Sequence, residues 1–145
     1  MKKIDLSEYI LQKDNLLVFP LTKDEIRILR HSKDEFSTYI KIPYLAHTHN
    51  DIFLEKVINN INMDDNFWFL NTIWVCVDIL AKSIVGTVKL ESANENNKII
   101  YLINEKNCVS TNKKQITDLF YAFYDANGYK NISTHNLNEV EYENM

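Results

Sequence analysis

Apolar residues recur along this chain with two different periods, and the changes of period divide it into elements. Leu6, Tyr9 and Ile10 share one side of a short helical turn over 6–11. LLVF (16–19) is an apolar run of strand-forming residues that Pro20 closes. Thr22 and Glu25 make a T-x-x-E capping box, which starts a helical region whose stripe is Ile26, Leu29, Phe36 and Ile40. The polar interruption at 31–34 bends that region, and Pro43 ends it. HTHN (47–50) is a loop before a second helix, in which Phe53, Val57, Ile58 and Ile61 fall at helical spacing.

The middle of the chain changes to period two. After a turn at MDDN (63–66), residues 67–79 read as one strand with two apolar faces. Phe69, Ile73, Val75 and Val77 lie on one face, and Trp68, Leu70, Trp74 and Cys76 on the other, as in a central strand covered on both sides. LAKS (80–83) turns into IVGTVKL (84–90), and ANENN (93–97) turns into IIYLIN (99–104). Three strands with short links predict an antiparallel meander.

The last third reads as strand, polar loop (105–111) and helix. Ile116, Leu119, Phe120 and Phe123 recur at i, i+3, i+4 and i+7. Asn112 with Gln115 is a capping-box variant at the start of this helix, and Gly128 is a C′ stop. YKNIST (129–134) is one more strand, and a polar tail follows. The order is β-α-α-β-β-β-α-β. It predicts an α+β (α/β) fold with a mixed, mostly antiparallel sheet flanked by helices.

The strand–loop–helix unit from Ile99 to Gly128 is where chemistry is expected. Free amide groups and the positive end of the helix dipole meet there, so the layout suits an anion. Such loops usually hold glycines that let a phosphate approach the backbone. This one holds Cys108, Val109, Ser110 and Thr111.

Composition narrows the classes. A chain of 145 residues is read as one domain over 1–145, with 1–10 an N-terminal extension and 135–145 a polar tail. It is long enough to bury roughly 70% of its unfolded surface without a metal or disulfide. Net charge of −4 argues against a general nucleic-acid binder. No apolar run reaches membrane-spanning length, and the N-terminus has no secretory pattern, so no membrane role is expected. Cys76 and Cys108 make no disulfide framework and read as reduced thiols of a cytoplasmic protein.

LQKDNLLVFPLTKDE (11–25), IVGTVKL (84–90) and GYKNI (128–132) stand in an order and spacing that resembles the Gcn5-related N-acetyltransferases (GNAT). The opening word most resembles the branch that acetylates ribosomal-protein N-termini. The resemblance covers about residues 11 to 134. It implies acetyl-coenzyme A as donor, bound between two splayed neighbouring strands, and a small-molecule or peptide amine as acceptor. It also implies a pyrophosphate loop of pattern [QR]-x-x-G-x-[GA] at 107–112. The implied cofactor-binding positions are Leu102, Ile103, Asn104, Asn107, Cys108, Val109, Ser110, Thr111 and Asn112, with the strand amide around 102–104 polarising the acetyl carbonyl. At 107–112 the chain reads N-C-V-S-T-N, with neither glycine nor leading Arg or Gln. Side chains at the glycine positions cost about 1–3 kcal/mol each where positive φ is required, which weakens binding by roughly one to two orders of magnitude. Ser110, Thr111 and Asn112 offer hydrogen bonds in compensation, and Lys113 and Lys114 offer charge.

The family continues with a further helix and two strands after the position of Ile132, where this chain has about a dozen polar residues. An exposed sheet edge is therefore expected, covered by a second copy in a homodimer. The family's catalytic tyrosine has only Tyr142 as a counterpart in the tail, and no catalytic residue is assigned. Glu91 and Glu105 are proton-acceptor candidates by position alone, with surface pairing the simpler role. His47, His49 and Asp51 supply no third ligand, so no metal is expected. Cys108 with His135 forms a conceivable nucleophilic pair, against the simpler reading of an incidental loop cysteine. Trp68, Trp74, Phe120 and Phe123 read as core, and Tyr121 and Tyr124 as lining a groove. Three readings stay open: a divergent acetyltransferase, a catalytically inactive binding or regulatory protein of the same fold, and an unrelated α+β domain.

Overall fold

The computed structural model describes residues 10–41, 51–62, 65–93, 96–103 and 110–136. Among them, β1 (Leu11–Lys13) and β2 (Leu16–Pro20) form a hairpin. Helices α1 (Lys23–His31), α2 (Lys33–Ile40) and α3 (Asp51–Asn59) follow, and then a 3₁₀ turn (Asp65–Leu70). Next come β3 (Ile73–Asp78), β4 (Ser83–Ala93), β5 (Asn96–Ile103), α4 (Ser110–Ala126) and β6 (Ile132–Asn136). The six strands lie side by side in chain order; all neighbours are antiparallel except β5 and β6, which are parallel. The α+β architecture with a mixed, mostly antiparallel sheet is as the sequence predicts.

The sheet has two covered faces. Leu21, Ile26, Leu29, Phe36, Leu54 and Val57 of the α1–α3 segment bury Ile73, Val75, Val77, Ile84 and Ile100. On the other face Ile116, Phe120, Phe123 and Tyr124 of α4 bury Leu16, Val18, Trp74, Cys76, Val88, Leu90 and Ile99. Each such side chain is worth about 1.5–3 kcal/mol of burial, so the periodicity that marks α4 in the sequence is also what docks it. Trp74 meets Phe120 and Phe123 edge-on at 5.2 and 5.3 Å.

Capping behaves as the residues dictate. Thr22 accepts from the Glu25 amide at 3.1 Å while Glu25 Oε1 accepts from the Thr22 amide at 2.9 Å. Ser32 caps α2 in the bend by accepting from the Glu35 amide at 3.2 Å. Gly128, at φ +79°, closes α4 in a Schellman motif: the Tyr129 amide donates to the Tyr124 carbonyl and the Gly128 amide to Asp125.

Several predicted boundaries move. Leu11, expected at the end of a helical turn, instead opens β1, because Asp14 adopts φ 53° and supports a two-residue hairpin turn with Asn15. Residues 67–70 are 3₁₀ and not strand. The Trp68 indole and the Thr72 hydroxyl both donate to the Leu21 carbonyl, at 2.8 and 2.7 Å, and the Asn71 and Thr72 amides donate to the Trp68 carbonyl. A turn of three residues breaks the alternation of two, so Trp68 and Phe69 exchange the faces predicted for them. Leu70 and residues 73–77 keep theirs. Helix α4 spans Ser110–Ala126, which places Asn112 inside its first turn and not at the N-cap; Gln115 donates to Asp14 Oδ2 at 3.1 Å. Strand β6 starts three residues late, because Tyr129 completes the helix stop and Asn131 sits at φ 54°. The HTHN loop (47–50) and the tail from 137 lie outside the described residues.

Candidate functional site

Strand β5 leads the chain to the site. Its ladder with β4 runs from Ala93↔Asn96 to Gly86↔Ile103. Its parallel ladder with β6 runs from Asn97↔Ile132 to Tyr101↔Asn136, the last described residue of β6. Leu102 and Ile103, the last described residues of β5, pair with Thr87 and Gly86 of β4. Ligands of sheets with parallel strands and helical crossovers sit at this carboxyl end.

The helix that follows is fixed from several sides. Its apolar stripe is buried on the sheet, Lys13 Nζ lies 3.2 Å from Asp118 Oδ2, and Gln115 reaches Asp14. The N-terminal hairpin therefore grips the first half of α4. The first turn contains no acidic residue, while Lys113 and Lys114 follow directly. Lysine beside a helix N-terminus is unfavourable by itself and becomes favourable with an anion present. Backbone amides of Ser110, Thr111 and Asn112 are the ones a helix leaves without internal partners.

The cofactor positions implied by the sequence separate into three groups. Leu102 and Ile103 end β5, and Ser110, Thr111 and Asn112 open α4. Asn104, Asn107, Cys108 and Val109 lie outside the described residues, as do Glu105, His47, His49 and Tyr142. Glu91 sits in the second half of β4, across from Lys98, with its carboxylate 3.5 Å from Lys56 Nζ. It is a surface-paired residue at the end of β5 remote from the loop. Tyr124, expected to line a groove, is fully buried, and its hydroxyl donates to the Lys98 carbonyl at 3.4 Å; position i+8 from Ile116 belongs to the same helical stripe. Tyr121 is partly exposed and donates to the Ile132 carbonyl. Trp68, Trp74, Phe120 and Phe123 are core residues. Cys76 is buried and forms no disulfide. His135 lies exposed on β6.

Lys89, which the sequence reading passed over, is the one charged side chain buried among the described residues, 5% exposed on β4. Burial pushes its amine down to about 8, with Glu91 opposing the shift and Lys56 adding to it. Among the described residues, no helix is long and apolar enough to cross a membrane.

No family model and no curated protein matches the sequence. Solved structures do match. The chain resembles the ribosomal-protein-S5-alanine acetyltransferase from Vibrio fischeri with a TM-score of 0.54 at 10% identity, over 86% of this chain and 72% of that one. An aminoglycoside acetyltransferase from an uncultured soil metagenomic sample aligns with a TM-score of 0.39 at 14% identity, over 90% and 82% of the two chains. A possible acetyltransferase from Clostridium difficile aligns with a TM-score of 0.38 at 10% identity, over 91% of each. Only the first score is high enough to support an argument, and at its identity that argument concerns fold alone. The sheet order, the two helical layers and the β5–α4–β6 crossover agree with it: the chain has the fold of the Gcn5-related N-acetyltransferases.

Proposed function

We propose that this protein is a divergent N-acetyltransferase that moves an acetyl group from acetyl-coenzyme A to a primary amine on a small molecule or peptide. The observation that carries this reading is the junction of β5 and α4. Strand β5 leads toward a helix whose first turn has amides to offer, two lysines and no carboxylate. Those features suit the pyrophosphate of the coenzyme. Ser110, Thr111 and Asn112 would hold it by their main chain, and the backbone around 102–104 would face the thioester. When bound, the coenzyme supplies an activated acyl group. The chain supplies a fixed strand end that orients the carbonyl and a hydrogen-bond donor toward its oxygen, where charge develops. Glu91 takes no part, because it is held by Lys56 at the other end of β5.

A second reading is a GNAT-fold protein that binds a partner or ligand without catalysis. The sequence N-C-V-S-T-N at 107–112 favours it, since no glycine allows close approach of a phosphate. In either reading we place the protein in the cytoplasm, which the reduced thiol Cys76 in the core supports, and as a homodimer joined along β6, whose described outer residues Ser133, Thr134 and His135 are exposed.

Isothermal titration with acetyl-coenzyme A tests the first reading. Micromolar binding, followed by release of free thiol in the presence of amines, is the expected result. Absence of heat and of any thermal shift at millimolar coenzyme overturns it. Micromolar binding without thiol release across an amine panel assigns the protein to the second reading.

A further inference from the structure

Strand β4 points Lys89 into the apolar layer under α1–α3. Its cross-strand neighbours are Ile73 on β3 and Ile100 on β5, both core residues of that layer. Among the described residues the amine donates one hydrogen bond, to the carbonyl of the adjacent Leu90, at 3.2 Å. An ammonium has three donors, and buried donors are normally matched by acceptors. Two donor positions of Lys89 therefore call for an acceptor.

The neighbouring charges show what kind. Glu91 stands two residues further on the same face. Lys56 approaches it from α3, and the β4–β5 register sets Lys98 directly opposite on that face. Glu55, the other charged residue next to Lys56, is exposed on α3. Lys56 thus meets the Glu91 carboxylate directly, Lys89 lies within electrostatic range of both, and Lys98 stands across from Glu91 in the register. The cluster carries a formal charge of +2, three lysines less one glutamate, in a chain of net charge −4. Lys98 and Ile103 are five residues apart on β5, about 17 Å along a strand, so the cluster is separate from the β5–α4 junction.

We propose that Lys56, Lys89 and Lys98 form an anion site for a small phosphate, and that Glu91 occupies it as an internal stand-in which the phosphate displaces. A phosphate dianion brings more acceptor oxygens than a carboxylate and can meet both the rim lysines and the unfilled donors of Lys89. A displaced Glu91 lies at the protein surface and returns to water. The proposal does not depend on the acetyltransferase reading.

Inorganic phosphate is titrated into the full chain at neutral pH, with chloride at matched ionic strength as the control, and backbone amide shifts are followed by NMR. Saturable shifts centred on residues 56, 89–91 and 98 are expected. Glu91→Gln is expected to bind about tenfold more tightly, because a competing internal anion is gone. Lys89→Met is expected to lose the binding, and Lys89→Arg to retain it. The idea is overturned by shifts that do not saturate at tens of millimolar phosphate, by equal binding in wild type and Lys89→Met, or by no gain in Glu91→Gln. Spectra of each variant report directly whether it is folded.

Discussion

Replacing Lys89 by methionine should make the protein more stable. The stem of Lys89 already lies among Ile73, Ile100 and the helices above them, and methionine keeps that stem while removing the charge. The amine falls from 10.5 to about 8 on burial, a difference of 2.5 units. At 1.36 kcal/mol per unit this is about 3 kcal/mol of folding free energy spent on a protonated amine. For a domain of this length, 3 kcal/mol corresponds to a rise of about 10 °C in Tm. The pH dependence provides the sharper check. Below pH 8 the amine is protonated in both folded and unfolded chains, and the full cost applies. Between about 8 and 10.5 the unfolded chain binds more protons than the folded one, so wild-type stability climbs with pH; above 10.5 the cost is gone. Urea unfolding of wild type and Lys89→Met, measured at steps from pH 6 to 11, should give two curves about 3 kcal/mol apart at pH 7 that converge by the upper end. A variant less stable than wild type at pH 7, or a gap that does not close with rising pH, would refute the assignment of Lys89 as a buried charge.

Further outcomes follow from the same structure. Gly128→Ala should cost about 1 kcal/mol by denaturant unfolding: its Cβ meets nothing within 4 Å, so the strain of φ +79° is the whole effect, and an unchanged midpoint would contradict the Schellman stop. Thr22→Ala should lose about 1 kcal/mol, since it removes the side chain that accepts from the Glu25 amide. Ser110→Gly with Asn112→Ala, which removes side-chain bulk beside the first amides of α4, should tighten acetyl-coenzyme A binding about tenfold by titration calorimetry, and weaker binding would speak against a pyrophosphate at the β5–α4 junction. Analytical ultracentrifugation at micromolar concentration should show a dimer, and a monomeric mass would remove the proposed pairing along β6.

How much was legible in the sequence depended on how local the deciding interaction was. The T-x-x-E box, the stripe on α4 and the Gly128 stop are each settled within a few residues, and each stands where the sequence places it. The alternation over 73–77 was equally plain, because both faces of β3 are buried. Two signals were present and passed over: the Asp14–Asn15 turn between apolar runs, and the S-x-x-E word at Ser32 that restarts the helix after the bend. The order of strand β5 and helix α4 was legible because the two are neighbours in the chain.

Long-range contacts decided the rest. Trp68 leaves the strand pattern because its indole finds the Leu21 carbonyl 47 residues away, which no window of sequence reveals. Gln115 bonds to Asp14, 101 residues away in the chain, because the first hairpin lies against α4. Lys89 reads in the sequence as an ordinary polar position, and only the closing of α3 over the sheet makes it buried and sets it beside Lys56 and Glu91. The sequence by itself determined the segments whose pattern and caps are local, the first helix, β3–β5 and α4, since backbone geometry and capping act over a few residues. Tertiary structure alone decided which polar side chains lose water, because burial depends on what the rest of the chain lays over them.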